Sequence, residues 1–182
     1  MKPKPDHLQT GNRRLDRNFS ELGLTVPFAG DIVLRPMVAA DLLEVVAIET
    51  QSQRDPWTLQ GFAAELENVR VSQPLVAVRD GEIVGYLVAW FIADEVQIVN
   101  IAVKEDHRRQ GMARFMLSCV LQSALRRGCR MAFLEVRKSN LAARRLYQSL
   151  GFAADGLRPH YYSRGREDAI LMKNGLAPQN YS

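Results

Sequence analysis

A chain of 182 residues, 47% of them hydrophobic, fits one domain able to bury a core. Its longest apolar run, Ile83 to Ala93, falls well short of the about 20 residues that span a bilayer. A net charge of +4 and a pI of about 9.3 favour anionic partners.

The basic residues gather in clusters: Arg108, Arg109 and Arg114, then Arg126, Arg127 and Arg130, then Arg137, Lys138, Arg144 and Arg145. Such clusters suit a phosphorylated cofactor, a ribosomal surface or nucleic acid. Cys119 and Cys129 do not make a disulfide framework, and His7, His107 and His160 sit in no metal-ligand spacing, so no metal is expected. The start Met1-Lys2-Pro3-Lys4-Pro5-Asp6 has no apolar stretch behind it. It does not read as a secretory leader, and the expected address is the cytosol.

Residues 1–30 are polar and aperiodic, with Pro3, Pro5, Gly11, Gly23, Pro27 and Gly30. They read as an extension, partly disordered or draped on a domain expected to cover residues 31–174, with 175–182 as a tail. Ile32 to Arg35 reads as a strand stopped by Pro36. Asp41 is placed to cap a helix with an apolar face of Leu42, Val45, Val46 and Ile48. Trp57 and Thr58 open a second short helix with Phe62 and Leu66 inward. Leu75–Val78, Ile83–Ile92 and Val96–Val103 are β-rich, and Asp80-Gly81 is a two-residue hairpin signal between the first two; together they predict an antiparallel meander.

Met112, Phe115, Met116, Cys119 and Val120 then follow helical spacing up to Arg126, Arg127 and a stop at Gly128. Cys119 on that face reads as core. Met131–Val136 is a strand. Ser139 or Asn140 caps a helix carrying Ala143, Leu146, Tyr147 and Leu150, stopped at Gly151. A last hairpin is expected over 152–162 and 167–172. The strand–helix–strand crossover between residues 96 and 136 makes those two strands parallel. The expected fold is one α/β domain: a mixed, mostly antiparallel sheet with one parallel pair, flanked by about four helices.

Arg108-Arg109-Gln110-Gly111-Met112-Ala113 joins a strand to a helix. Small residues at 111 and 113 let a ligand approach the backbone. Unpaired N–H groups at a helix start can hold a pyrophosphate, and the arginines add charge. This segment resembles the acetyl-CoA pyrophosphate loop of the GNAT superfamily, Gln/Arg-x-x-Gly-x-Gly/Ala, with Arg108, Gly111 and Ala113 at the defined positions. Asn100-Ile101-Ala102-Val103 is similar to the family strand that lies along the pantetheine arm. The resemblance implies acetyl-CoA as cofactor, bound by Ile101, Ala102, Val103, Arg108, Arg109, Gln110, Gly111, Met112, Ala113, Arg114 and Asn140. It also implies a backbone N–H near Ala102 or Val103 as oxyanion hole.

Glu135-Val136-Arg137-Lys138-Ser139-Asn140 with Tyr147 twelve residues after the Glu resembles the ribosomal-protein-alanine acetyltransferases, the RimI type. Asp55-Pro56-Trp57-Thr58 and the ending Arg158-Pro159-His160-Tyr161-Tyr162 followed by Gly165-Arg166-Glu167-Asp168 also match, so the resemblance covers about residues 31–173. It implies acetyl transfer to a protein N-terminal α-amine, that of a ribosomal protein above all. Direct nucleic-acid binding and a membrane are not expected. A peptide α-amine has a pKa of about 7.7–8.0 and must lose a proton to attack a thioester. Glu135 is the candidate base, through a water, and Tyr147 the candidate acid for the departing thiolate. Trp57, Tyr161 and Tyr162 are candidate walls of an acceptor groove between the first two helices and the last hairpin.

Each residue also has a plainer reading. Glu135 can be the ion-pair partner of an arginine, Asn140 an N-cap, Tyr147, Trp57 and Phe62 core, and Tyr161 and Tyr162 strand residues. The competing functions are a GNAT enzyme for another amine (a lysine, a polyamine or an antibiotic), a non-catalytic acyl-CoA-binding regulator, and a ribosome- or RNA-binding protein.

Overall fold

The computed structural model describes residues 32–162 and 167–177. The expected extension over 1–30, the hairpin tip with Gly165 and Arg166, and most of the tail lie outside the described residues. In chain order the elements are β1 (Ile32–Pro36), α1 (Leu42–Ser52), α2 (Leu59–Glu67), β2 (Ser72–Arg79), β3 (Glu82–Ile92), β4 (Glu95–Val103), α3 (Met112–Arg126), β5 (Met131–Arg137), α4 (Leu141–Ser149), β6 (Ala153–Tyr162) and β7 (Glu167–Gly175). The strands form one sheet in the order β1-β2-β3-β4-β5-β7-β6. Among the described strands only β4 and β5 pair in parallel, as the crossover through α3 requires.

Local signals set most of these elements. Asp80 and Gly81 both take positive φ, 52° and 84°, and close the β2–β3 hairpin. Thr58 accepts the Gly61 N–H at 3.1 Å and starts α2, so Trp57 precedes that helix rather than opening it. Asp41 does not cap α1 with its side chain. It takes two bonds from the Arg35 guanidinium, at 2.7 and 2.8 Å, and the Val38 N–H at 2.8 Å, which fixes a 3-10 turn, Ala39–Asp41, ahead of the helix.

The sheet separates two cores. On one face α3 buries Met112, Met116, Leu117, Val120 and Leu121, with Cys119, against Leu87, Ala89, Val96, Ile98 and Leu134. On the other, Val45 and Ile48 of α1 and Phe62 of α2 cover Val76, Tyr86 and Val88. The Phe62 and Tyr86 rings meet edge to face at 5.3 Å.

The register of β4 opens the sheet. Against β3, Ala89 pairs with Ile98 and Val88 with Asn100, so Val99 is an extra residue bulged out of the ladder. Against β5, pairing runs from Glu95↔Met131 to Ile98↔Leu134 and stops there. Beyond the bulge β4 stays with β3, while Glu135, Val136 and Arg137 pair only with β7, facing Leu171, Ile170 and Ala169. The parallel pair therefore splays into a cleft in mid-sheet.

Gly85 faces Val103 on the β3 side of this opened stretch. A Cβ at Gly85 would lie 2.9 Å from the Ala102 carbonyl oxygen and 3.2 Å from Met116 Cε. The strand and α3 approach too closely for any side chain. Gly85→Ala is expected to cost about 1–3 kcal/mol of stability, read as a lower Tm in thermal denaturation.

Candidate active site

Backbone alternation decides what the open edge of β4 presents. The Lys104 N–H donates to the Val84 carbonyl at 2.9 Å, so Lys104, Ala102 and Asn100 turn their backbone groups toward β3. Ile101 and Val103 turn theirs into the cleft. Of the expected strand contacts, Ala102 thus faces the wrong way to offer its N–H, and Val103 and Ile101 carry the available donors. Their carbonyls are already approached: Arg108 Nε donates to Val103 O at 2.9 Å, and Gln53 Nε2 reaches Ile101 O at 3.4 Å.

At the mouth of the cleft, a 3-10 turn over Glu105–His107 leads into the loop before α3. Arg108 turns back on the protein, bonding Val103 and the Ser52 hydroxyl at 2.9 Å each. It fastens the loop to β4 and α1. Arg109 has φ 59° and Gly111 φ 83°. This left-handed geometry at the residue capping α3 suits glycine, and it exposes the first N–H groups of the helix, Met112 to Arg114, which have no intrahelical acceptor. Gln110 is held by Arg79 at 3.1 Å and by the Asp106 carbonyl at 2.9 Å. Arg114 bonds the Ser149 hydroxyl. The Met112 side chain is buried in the core, so only its backbone belongs to the loop.

Across the cleft, Glu135 lies on β5 with its side chain 17% exposed and its Oε1 2.6 Å from Arg158 NH1. The Tyr161 hydroxyl also donates to it, which raises the Tyr161 pKa. The ion-pair reading of Glu135 is met by Arg158, a partner with no signal of its own in the sequence. Beyond Arg158, which still pairs in register with Ala169, the hairpin is distorted. Between Arg158↔Ala169 and Tyr162↔Glu167, β6 has two more residues than β7, and His160 takes φ 54°. Tyr161 and Tyr162 meet at 4.9 Å, nearly perpendicular.

Tyr147 is placed by the end of α4. Gly151, φ 91°, donates its N–H to Gln148 O, and Phe152 donates to Tyr147 O, both at 3.0 Å. This Schellman closure brings the Phe152 ring to 6.0 Å from that of Tyr147. At the other end Asn140 Oδ1 accepts the Ala143 N–H at 3.1 Å, so Asn140 is an N-cap. Burial, aided by Tyr162, raises the Tyr147 pKa well above its ordinary value. Burial and the nearby Glu135 carboxylate push Tyr162 up to about 12. Tyr162 is thus within electrostatic reach of both Glu135 and Tyr147.

Trp57 packs at 5.3 Å on Phe62. Just before it, Asp55 pairs with Arg137 at 2.5 Å. Arg137 in turn reaches Glu167 at 3.2 Å and stacks 4.2 Å above the Tyr162 ring. This cluster ties the α1–α2 connection to the β6–β7 hairpin.

The cleft has a strand edge on one side, the glycine-capped start of α3 at its mouth and a carboxyl group with tyrosines on the other side. The profile of the Acetyltransferase (GNAT) family matches residues 42–152. The chain belongs to that family and is an acetyl-CoA-dependent N-acetyltransferase. It is 36% identical over 134 residues to the [ribosomal protein bS18]-alanine N-acetyltransferase of Escherichia coli K12, covering 72% of this chain and 89% of that one. The crystal structure of the ribosomal-protein-S18-alanine N-acetyltransferase from Escherichia coli superposes with a TM-score of 0.74 at 32% identity, covering 83% of this chain and 99% of that one. Ard1 from Thermoplasma volcanium gives a TM-score of 0.74 at 25% identity, covering 80% and 98%.

Proposed function

We propose that the enzyme acetylates the N-terminal α-amine of a protein, with the N-terminal alanine of a ribosomal protein as the acceptor to which its relatives' names point. The observation that carries the reading is the splayed β4–β5 pair, with free strand donors on one lip and Glu135 on the other. The residues present fit acetyl-CoA. The N–H groups of Ile101 and Val103 suit an extended amide-bearing arm. The first turn of α3, with Gly111, Ala113, Arg109 and Arg114 around it, suits a pyrophosphate.

Acetyl-CoA supplies an acetyl group already activated as a thioester. The Val103 N–H is the donor available to a carbonyl oxygen in the cleft. Glu135, through a water, takes the proton of the α-ammonium. Tyr147 keeps its proton at Oη across the working pH range, because burial raises its pKa, and gives it to the departing sulfur. Trp57, Tyr161 and Tyr162 wall the acceptor groove, and Asn140 lends the cofactor side its cap.

The test is thiol release from acetyl-CoA with a short peptide beginning in Ala, and mass spectrometry to locate the acetyl group. An internal lysine and an acetyl-blocked control make the site of transfer unambiguous. Acetyl on the α-amine supports the reading. Acetyl on the lysine of the blocked peptide overturns it.

Tyr147→Phe is expected to lower kcat by about 10²-fold, the low end of acid–base effects. The wild type should show no alkaline fall in kcat from this group below about pH 10, because a raised pKa retains the proton as pH climbs. A pH–rate profile of both proteins checks it.

A further inference from the structure

Glu49 is a buried carboxyl group to which the mechanism gives no part. It lies on α1 and is 1% exposed. Its Oε1 accepts the Trp57 N–H at 2.8 Å and the Asn100 Nδ2 at 3.1 Å, and its Oε2 accepts the Tyr86 hydroxyl. The Tyr86 oxygen also stands 3.2 Å from Asn100 Oδ1. These partners are not scattered. Trp57 begins the acceptor wall. Asn100 follows the Val99 bulge and precedes Ile101, the first residue of β4 whose backbone faces the cleft. One turn further on, Ser52 at the end of α1 and Gln53 just past it contact Arg108 and Ile101 O respectively.

We propose that Glu49 is a positioning residue: its hydrogen bonds hold the acceptor wall at Trp57 in register with the open cofactor edge of β4. The inference rests on the acetyl-transfer reading above and adds to it the element that sets the distance between the two binding surfaces. A helix packed on apolar side chains can slide or tilt at little cost, whereas a carboxyl group that satisfies a loop amide and a strand carboxamide at once permits one arrangement. Its donors are a backbone amide, a carboxamide and a phenol, all neutral. Glutamine can satisfy the same set: its carbonyl accepts from Trp57 and Asn100, its amide donates to the Tyr86 oxygen, and the Tyr86 hydroxyl turns to donate to Asn100 Oδ1. Alanine satisfies none of them.

The full-length protein is compared with Glu49→Ala and Glu49→Gln. One arm is amide hydrogen exchange of the cofactor-free protein over residues 53–60 and 99–103. The other is kcat and KM for an Ala-terminated peptide. Glu49→Ala is expected to lose protection at Trp57 and to drop kcat/KM by about 100-fold, the cost of a misplacement near 1 Å, mostly in KM for the peptide. Glu49→Gln should restore both readouts close to wild type.

Unchanged protection and unchanged KM in Glu49→Ala overturn the proposal. So does a Gln variant as impaired as Ala, since the charge and not the bonds would then matter. Should Glu49→Ala fail to fold, Tyr86→Phe removes one bond while leaving a ring on Phe62. It is expected to raise KM about tenfold, and wild-type behaviour there overturns the proposal equally. If the wild type does not acetylate the peptide, the acetyl-transfer reading fails by itself, and the exchange arm still decides the place of Glu49.

Discussion

Glu135→Gln is expected to lower kcat by about 10²–10⁴-fold, the range for loss of a general base, with acetyl-CoA affinity unchanged. The magnitude separates the two readings of this residue. As an ion-pair partner alone, Glu135 would be worth little, because Arg158 is 51% exposed and pairs open to solvent contribute about 0–1 kcal/mol. Losing such a pair cannot slow a reaction 10²-fold, a change that corresponds to about 2.7 kcal/mol of barrier. Gln keeps the shape and can still accept from the Tyr161 hydroxyl, so the hairpin wall should stand. Arg158→Gln is the paired control. It removes the same ion pair and leaves the base, and it should cost far less in kcat. Single-turnover kinetics with saturating peptide, alongside calorimetric titration of acetyl-CoA, measures the effect. A Gln variant within about threefold of wild type would assign Glu135 to the ion pair only.

The parts of this site that could be read from the sequence are those built by contiguous residues. Gly111 at the head of an amphipathic helix with Ala113 in its first turn, Asn140 three residues before Ala143, and Leu150-Gly151-Phe152 each specify a local hydrogen-bond pattern. The structure carries those patterns out. What the sequence hides is non-local. The Val99 bulge, and with it the end of β4–β5 pairing, depends on how three strands meet. No residue type in Gln97–Ile101 announces it, so Ala102 and Val103 could not be told apart as donors.

Arg108, expected at the pyrophosphate, also bonds Val103 and Ser52, contacts the sequence did not announce. Which way a long side chain folds depends on carbonyls and hydroxyls brought in from elsewhere in the chain. Arg158 comes into range of Glu135 through the pairing of β6 with β7 and of β7 with β5, which is non-local. Glu49 did leave a trace. It stands four residues after Val45, on the apolar stripe of α1, where a carboxyl group is out of place unless other polar groups meet it.

Gly111→Val is expected to weaken acetyl-CoA binding by about 10–100-fold, while a matched change at the far end of the same helix leaves binding alone. Gly111 holds φ 83° at the start of α3, and Gly128 holds φ 84° just past its end. An L-residue in this region costs about 1–2 kcal/mol, and a β-branched one more. Both variants should therefore lose comparable stability. Gly128 has no atom within 4 Å of where its Cβ would stand and adjoins no part of the cleft, so Gly128→Val measures the strain alone.

At Gly111 the strain can be relieved only by moving the loop. Met112 is fixed in the core and Arg108 is tied to β4, so the residues between them take up the change. The exposed N–H groups of α3, Met112 to Arg114, follow directly on those residues, the first of them in the peptide plane shared with Gly111, and a shift there turns the donors away from a common point. Calorimetry of acetyl-CoA binding to both variants, with Tm values recorded beside it, decides the matter. Equal losses of affinity in the two would mean that general destabilisation is being measured. A loss confined to Gly111→Val assigns the anion site to the first turn of α3.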